Sequence, residues 1–299
     1  MLCSYIQKTG LIYAYGNDRL DFFNRMSSND LTRFPVNTFR KTVFTTDKGR
    51  IVDFVTIFNL EKEAILLTST ELTNKLVEHL EKYIIMDDVK LESSQEEFYR
   101  AIIWGEEVIE KVNRLTGFEI KDDSSIINPE KDLYAYYDSF KTGSVNFICS
   151  KERAETLLSS ITDIERLSDE EFNIFRIEHG IAQADNEINE DINPMECGLN
   201  DYISYNKGCY IGQEVIARID SRDKIPKQMV KVSSTNGLGS NDKIFADDEK
   251  EVGFISSTAK VGDGIIGLGF IRSVSLDYTK SYSVKHGDKL SEIKISKII

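Results

Sequence analysis

The amino-acid sequence predicts an α+β protein that ends in an all-β domain, and three observations support this fold class. Through the first two thirds of the chain, strand-like apolar runs alternate with segments whose apolar residues have helical spacing. After Pro226 the chain has many glycines and short apolar runs but no helical period. Its length of 299 residues accommodates one large domain or two to three small packed domains, because single cores stop growing at about 250 to 300 residues.

The first half of the chain reads as alternating strands and helices. After a strand at residues 11–15, Asp18 is placed to cap a helix with Leu20, Phe23 and Met26 on one side. A three-stranded meander follows at 42–46, 50–58 and 64–68. A helix is predicted after Thr70, with Leu72, Leu76 and Leu80 at helical spacing, and the next extended piece begins at 84–86. A strand at 98–104 and a helix at 106–115, which Gly117 ends, complete this half.

The middle of the chain contains a predicted loop and further helices. Residues 121–132 are polar and include Asn128-Pro129, which is typical of a surface loop. Ser168 and Glu171 have the spacing of a capping box at the start of a helix. Between the loop and the capping box, the pattern predicts a strand at 145–150 and a helix at 152–161.

The composition is that of a folded, soluble protein. Hydrophobic residues make up 40% of the chain and charged residues 29%, which leaves enough apolar surface for a core. The formal charge of −13 repels a phosphate backbone on average and argues against general DNA binding. No apolar run approaches the about 20 residues that span a bilayer, and the first residues lack the pattern of a signal peptide. We therefore expect a cytoplasmic protein that does not cross a membrane.

The cysteines are scattered along the chain, at Cys3, Cys149, Cys197 and Cys209. They form no C-x-x-C pair, and the chain has three histidines. A zinc ribbon or a disulfide framework is therefore not expected, and the sequence predicts no metal site.

One octet combines a cysteine with a nearby lysine and two glycines: Lys207-Gly208-Cys209-Tyr210-Ile211-Gly212-Gln213-Glu214. The apolar residues that follow it have helical spacing and predict a helix that begins near Ile211. Cys209 would then lie at the positive end of the helix, where the dipole and Lys207 both favour a thiolate. Such a thiolate serves as a nucleophile, a redox group or a soft-metal ligand. The simpler alternative is a small buried residue beside a tight turn.

The octet resembles the K-G-C-Y/F-x-G-Q-E signature of the YgfZ family of folate-binding proteins, whose mitochondrial relatives assist iron–sulfur cluster assembly. Arg218 completes the longer pattern Q-E-V-x-A-R. Other blocks that resemble the family are P-x-E-x-G-L at residues 194–199, R-x-E-x-G at 176–180, and the early blocks at 28–30 and 49–53.

The resemblance implies the cloverleaf fold of aminomethyltransferases, with two α+β lobes around a central hole that admits tetrahydrofolate, and a C-terminal β-barrel. It implies a folate-binding region at residues 1–225 and a barrel at 226–299. Within the first region, one lobe combines approximately 1–45 with 152–225, and the other comprises 46–151.

The same superfamily contains the aminomethyltransferase (T-protein) of the glycine cleavage system, and two positions separate it from this chain. The T-protein pattern has an acid at the position of Cys209, and a paired Asp-Asp where this chain has Asp53 followed by Phe54. The missing second carboxylate removes a candidate for acid–base chemistry on the folate amine, although Asp53 alone remains able to act. Both differences favour the YgfZ family and leave the transferase as the alternative.

The resemblance also implies roles for individual residues. Cys209, Lys207 and Asp53 are the candidates for chemistry, with Asp53 on a strand that would line the hole. The alternative for Asp53 is a solvated acid at a strand edge. The remaining positions of the signature, Gly208, Gly212, Gln213 and Glu214, would shape the turn and the helix start.

Cofactor contacts are expected from Glu178, Arg218, Asn29 and Asp30. A fixed carboxylate at Glu178 can accept the ring N–H and the amino group of a pterin together, whereas the alternative is an exposed glutamate on a helix surface. Arg218 would pair with the glutamate tail of folate or form an ordinary salt bridge within its own helix. Asn29 and Asp30 would contact the cofactor or make local turn bonds.

We therefore expect an accessory protein that binds tetrahydrofolate or a one-carbon derivative and supports iron–sulfur cluster synthesis or repair, with client or assembly proteins as partners. The alternative is an enzyme, an aminomethyltransferase that transfers a one-carbon unit to tetrahydrofolate. A third possibility, a folate-dependent module of a tRNA-modifying system that contacts RNA, is motivated by a basic stretch: Lys207, Arg218, Arg222, Lys224, Lys227 and Lys231.

Overall fold

A computed structural model describes residues 1–222, 224–246, 250–287 and 289–298. The chain divides into two units, each assembled from several stretches of sequence. The first unit comprises Met1–Thr45, Val52–Ser168 and Tyr202–Ile211, and the second comprises Thr46–Ile51, Asp169–Asp201 and Gly212–Ile299. Within the described ranges, no helix is long and apolar enough to cross a membrane. The lobe boundaries that the resemblance implies stay a prediction.

The first unit is built on a ten-stranded sheet with the order β2-β3-β4-β1-β6-β9-β8-β7, in which β5 and β10 also pair with β1. The strands are β1 (Leu2–Tyr15), β2 (Thr38–Thr45), β3 (Ile51–Asn59), β4 (Ala64–Thr68), β5 (Lys90–Ser93), β6 (Phe98–Gly105), β7 (Ile126–Glu130), β8 (Leu133–Asp138), β9 (Ser144–Cys149) and β10 (Ile164–Arg166). The helices of this unit are α1 (Arg19–Met26), α2 (Thr73–Glu81), α3 (Val108–Thr116) and α4 (Lys151–Ser160). The predicted meander is confirmed as β2, β3 and β4.

The long strand β1 joins the two halves of this sheet, and only its second half was predicted. Residues 2–9 pair with β6, and residues 10–14 pair with β4. The helices α3 and α4 pack on the first half, while α1 and α2 pack on the second, where Phe23 and Leu76 are fully buried. Burying one such side chain contributes about 1.5 to 3 kcal/mol, so these cores hold the helices in place.

The loop predicted at residues 121–132 is partly wrong, because β7 lies within it. This strand is the last in the sheet order and pairs with β8, and on its other side only its start is bonded, where the amide of Ile126 donates to the carbonyl of Asn37 (2.9 Å) among the described residues. An edge strand tolerates polar residues and a proline, since one side needs no ladder hydrogen bonds. The register shifts between Ile127 and Glu130, around Asn128-Pro129. The polar sequence that suggested a loop is therefore the sequence of an edge.

The predicted extended piece at residues 84–86 is also wrong. These residues form a loop, and the next strand starts at Lys90. The reason is a set of bonds that ties the loop to the start of α1: the amide of Asn17 donates to Asp88 Oδ2 (3.0 Å), and the amide of Asp88 donates to Asp18 Oδ2 (2.8 Å). Asp18 is the N-cap residue of α1, but its side chain makes this bond and does not cap the helix.

The second unit contains the all-β segment that the glycine-rich sequence predicts, together with two helices. Its strands form a closed barrel with the order β11-β14-β13-β12-β15-β16. The elements are α5 (Asp169–Glu178), α6 (Gln213–Ser221), β11 (Lys227–Ser234), β12 (Lys243–Ala246), β13 (Glu251–Val261), β14 (Gly264–Arg272), β15 (Tyr282–His286) and β16 (Lys289–Ser296). Helix α5 lies against the barrel, where Asn173 Nδ2 donates to the carbonyl of Thr258 (3.0 Å).

Candidate functional site

The thiol of Cys209 is accessible. Cys209 is exposed, Cys3 is half-buried, Cys149 and Cys197 are buried, and all four are free. The packed alternative for Cys209 is therefore wrong. Within the described residues, no group of three or more His, Cys, Asp or Glu side chains is arranged to hold a metal ion.

The helix after the octet begins two residues later than predicted. Gly212 is the N-cap residue of α6, so Cys209 precedes the cap by three positions. Gly212 has φ of 83°, a left-handed conformation that favours glycine, whereas a Cβ at Gly208 would meet open space. Glu214 is exposed in the first turn, where an acid is favourable, and Gln213 is the first helical residue.

The ammonium group of Lys207 is bound by main-chain oxygens. Its Nζ donates to the carbonyls of Asn24 (2.5 Å), Ser27 (2.8 Å) and Asn29 (2.5 Å). Three acceptors match the three protons of an ammonium. Asn24 lies in the last turn of α1, where carbonyls lack helical partners. Burial lowers the pKa of Lys207 to about 8, and Asp30 partly offsets this. Lys207 therefore orders the loop after α1.

Asn29 and Asp30, in that loop, both make local bonds. Asn29 Nδ2 donates to the carbonyl of Lys41 (2.8 Å), and Asn29 Oδ1 accepts from the amide of Asp30 (2.8 Å). Asp30 Oδ1 accepts from the amide and the hydroxyl of Thr32, and these two hydrogen bonds lower the pKa of Asp30. The turn bonds expected of Asn and Asp are thus present, and their contact with a cofactor stays a prediction.

Asp53 is fully buried on β3, so it is not a solvated acid at a strand edge. Its Oδ1 accepts from the amide of Phe54 (2.8 Å), and its Oδ2 accepts from the amide of Ser69 (3.3 Å). Burial raises the pKa of Asp53 to about 8, although these hydrogen bonds act in the opposite direction. A carboxyl group with a pKa near neutrality is suited to general acid–base chemistry.

A buried ion pair in the first unit was missed by the sequence analysis. Lys41 Nζ lies 2.6 Å from Asp138 Oδ2, and their side chains are 8% and 6% exposed. Burial lowers the pKa of Lys41. Burial acts to raise the pKa of Asp138, but Lys41 and Arg100 outweigh it and hold the pKa below its usual value. The signal in the sequence was a lysine directly before the predicted strand at 42–46, and this lysine becomes informative only once its distant partner is known.

In the second unit, Glu178 is the exposed last residue of α5. The end of this helix is anchored through Arg176, whose Nη1 lies 3.3 Å from Oε2 of the buried Glu187. Glu187 Oε1 accepts from the hydroxyls of Ser256 (2.5 Å) and Ser257 (2.6 Å), two neighbours at a register shift of β13. A bulge lets consecutive residues face the same side of a strand. The carboxylate of Glu178 is thus presented from a fixed helix end.

Arg218 is exposed on α6 and, among the described residues, forms no ion pair with Asp220 or Glu214. The salt bridge offered as the alternative is therefore not formed. Other cations of the basic stretch are bound by the protein itself: Lys227 Nζ donates to the carbonyl of Asp191 (3.1 Å), and Lys231 Nζ to that of Glu178 (3.2 Å).

The predicted site residues are divided between the two units. Asn29, Asp30, Asp53, Lys207 and Cys209 belong to the first unit together with Gly208. Glu178, Gly212, Gln213, Glu214 and Arg218 belong to the second.

The chain is similar to known proteins along its whole length. The model of the GCVT N-terminal domain matches residues 6–127. A chloroplastic protein of Arabidopsis thaliana whose name describes a transferase is 27% identical over 308 residues, covering 95% of this chain and 68% of the relative. The tRNA-modifying protein YgfZ of Hamiltonella defensa is 23% identical over 304 residues, covering 96% and 87%. A mitochondrial homologue of the iron-sulfur cluster assembly factor IBA57, from Aspergillus oryzae, is 23% identical over 252 residues, covering 76% and 56%.

The fold has a close counterpart among solved structures. The aminomethyltransferase T of the Bartonella henselae glycine cleavage system superimposes with a TM-score of 0.84 at 14% identity, covering 99% of this chain and 85% of that protein. The predicted aminomethyltransferase fold is confirmed. The match to the GCVT N-terminal domain covers residues 6–127, less than half of the chain, and is consistent with the superfamily that carries this domain. Within that superfamily, the similarities are those of a YgfZ-like member at modest sequence identity.

Proposed function

We propose that the chain is a cytoplasmic, tetrahydrofolate-binding accessory protein that supports the synthesis or repair of iron–sulfur clusters in client enzymes. The observation that carries this proposal is the exposed thiol of Cys209, at the position where the T-protein pattern has an acid. The relative named as an iron-sulfur cluster assembly factor supports the same reading. An accessible thiol can reach a partner protein, whereas the buried Cys149 and Cys197 cannot.

The chain's own residues fit a folate. The exposed carboxylate of Glu178 is a pair of acceptors for the N–H and amino groups of a pterin, and the exposed guanidinium of Arg218 suits a carboxylate tail. Tetrahydrofolate, when bound, supplies a carrier for one-carbon units. Lys207 contributes by positioning, because it fixes the loop that holds Asn29 and Asp30.

A second candidate function, one-carbon transfer by an aminomethyltransferase, is favoured by Asp53. Its buried carboxyl group can hold or release a proton near neutral pH, and the amides of Phe54 and Ser69 keep it in place. The name of the plant relative also describes a transferase. This function would depend on Asp53, whereas the accessory function depends on Cys209. A tRNA-modifying role draws support from the name of the YgfZ relative, but the main-chain bonds of Lys227 and Lys231 leave fewer free cations for RNA.

Tetrahydrofolate is expected to raise the melting temperature of the chain, because a ligand that binds only the folded state stabilises that state by mass action. At a free ligand concentration of 100 times the Kd, the stabilisation is about 2.7 kcal/mol. Thermal unfolding with tetrahydrofolate and with its methylene and formyl derivatives measures this. Glu178→Gln should abolish the shift without changing the melting temperature of the free protein, since the side chain is exposed. Glu170→Gln, at an exposed position on the same helix, is the control. An equal shift in Glu178→Gln and in the control would refute the role of Glu178, and no shift in the parent chain would refute folate binding.

A further inference from the structure

The loop between α2 and β5 in the first unit exposes apolar side chains that the proposed function does not use. Met86 is 93% exposed, Ile85 84% and Tyr83 37%. We refer to Tyr83, Ile85 and Met86 as the apolar patch. Contiguous exposed apolar side chains are typical of interaction sites, whereas an isolated one is ordinary on a protein surface.

The loop that carries the apolar patch is held in place at both of its ends. The amide of Asp18 donates to the carbonyl of Asp88 (3.3 Å), and the amide of Asp88 donates to Asp18 Oδ2 (2.8 Å). Ile84 and Val89, before and after the exposed residues, pack against the core beneath α1 and α2. Because the loop is ordered during folding, a partner that binds it does not have to supply the free energy of ordering it.

Arg25, in the last turn of α1, connects the apolar patch with the segment that carries Cys209. The guanidinium of Arg25 pairs with Asp87, the residue directly after Met86. Its carbonyl accepts from the amide of Ile211 (3.1 Å), two residues after Cys209. The chain spans that join these bonds limit the distance from Met86 to Cys209 to about 30 Å. A partner that covers about 800 Å² of this unit extends over a similar distance, so one partner can contact both.

The surface around the apolar patch is acidic. Residues 71–92 contain six acidic and three basic side chains. Glu78 and Glu81 are exposed on α2, and Asp88 is exposed in the loop itself. Two copies of this chain would bring the same negative charges together across a two-fold interface, and an anionic membrane would also be repelled. A partner protein with basic side chains around an apolar face complements both the patch and its charges.

We propose that the apolar patch is the docking surface for the partner protein that Cys209 reaches, and that this partner presents an amphipathic helix with basic side chains beside its apolar stripe. The patch suits such a stripe, because the flexible thioether of Met86 adapts to the surface of a helix. The acidic side chains around it would speed association and set the orientation of the helix. This inference rests on the proposed accessory function and assigns its client or assembly protein a surface outside the signature.

Two labelled peptides test the chemistry of the docking surface: an amphipathic helix of leucine and lysine, and the same peptide with glutamate in place of lysine. Fluorescence anisotropy measures their affinity for the full chain. Ile85→Ser combined with Met86→Ser is expected to weaken binding of the lysine peptide by about tenfold or more, because burying one such side chain accounts for about a factor of ten. The parent chain should bind the glutamate peptide more weakly than the lysine peptide, also by about tenfold or more.

The matched control is Val274→Ser combined with Leu290→Ser. These substitutions remove two apolar side chains of the second unit that are 95% and 63% exposed. The control should bind the lysine peptide as the parent chain does. Both double variants should keep the melting temperature of the parent chain and its stabilisation by tetrahydrofolate, since all four side chains are exposed.

The activity of an iron–sulfur client enzyme, in cells that lack the chain, tests the same surface in its proposed role. The variant with Ile85→Ser and Met86→Ser should leave client activity low. The variant with Val274→Ser and Leu290→Ser should restore it as the parent chain does.

Other occupants of the apolar patch would overturn the inference. Dimers of the parent chain in sedimentation, absent from the variant with Ile85→Ser and Met86→Ser, would assign the patch to a second copy. Retention of the parent chain on phosphatidylcholine vesicles, lost in the same variant, would assign it to a lipid surface. Equal affinity of the two double variants for the lysine peptide, or of the parent chain for the two peptides, would also overturn the inference.

The outcomes separate this inference from the proposed function. If the parent chain and both double variants restore client activity equally, the inference fails and the accessory function stands. If the parent chain does not restore client activity but the peptides bind as described, the docking surface is supported and the proposed function fails.

Discussion

Replacing Asp53 by Asn is expected to remove a large part of the pH dependence of stability between pH 5 and pH 8. The pKa of Asp53 is raised from 3.8 to about 8 in the folded chain, because the carboxyl group is buried. Between these two values the folded state holds a proton that the unfolded state has lost. The stabilising contribution of the protonated carboxyl is therefore complete below about pH 4 and is lost as the pH rises to about 8.

Each pH unit in this window corresponds to about 1.4 kcal/mol, so the parent chain should lose about 4 kcal/mol relative to Asp53→Asn from pH 5 to pH 8. Urea unfolding of both proteins across this range measures the difference, and other titrating groups cancel in the comparison. Asp30→Asn is the control, because hydrogen bonds from Thr32 lower the pKa of Asp30 and its titration falls below the window. Parallel curves for the parent chain and Asp53→Asn would contradict the account of Asp53.

Replacing Lys207 by Met is expected to destabilise the chain by about 2 to 4 kcal/mol, because three carbonyls lose a charged hydrogen-bond donor at once. Lys207→Arg should not restore the stability, since a planar guanidinium does not reproduce three diverging N–H groups. Chemical unfolding at neutral pH measures the loss.

The control for Lys207 is Lys224→Met, at an exposed position of the same basic stretch, which should change stability by less than about 0.5 kcal/mol. A Lys207→Met variant as stable as Lys224→Met would show that the three carbonyls find other donors. The stabilising role assigned to Lys207 would then be wrong.

The elements that the sequence predicted correctly are those with a strong local pattern. The apolar spacing of α1 and α2 predicts that each helix has one buried face, and Phe23 and Leu76 on those faces are buried. The strands of the meander were predicted in the same way, from the alternation of their apolar residues. The edge strand β7 was missed because an edge needs neither continuous apolar residues nor all of its amide donors. The extended piece at 84–86 was predicted wrongly for the opposite reason: Ile85 and Met86 are apolar, but both are exposed on a loop.

The candidate site was predictable where chemistry is local. Asn29 and Asp30 make the turn bonds that their short polar side chains favour. Lys207 was not predictable in this way: its proximity to Cys209 in the sequence suggested a direct effect, whereas its three acceptors lie about 180 residues away along the chain. The partner of Lys41 is likewise 97 residues away, so no motif could indicate the pair.

The central claim is that the exposed thiol of Cys209 carries the accessory function, and the activity of an iron–sulfur client enzyme tests it most directly. In cells that lack the chain, we expect Cys209→Ala to fold and to be stabilised by tetrahydrofolate, yet to leave client activity low, while the parent chain and the Cys3→Ala control restore it. Normal client activity with Cys209→Ala would contradict the claim. The transferase would be favoured instead if the parent chain transfers a one-carbon unit from an aminomethylated lipoyl carrier and Asp53→Asn loses this activity.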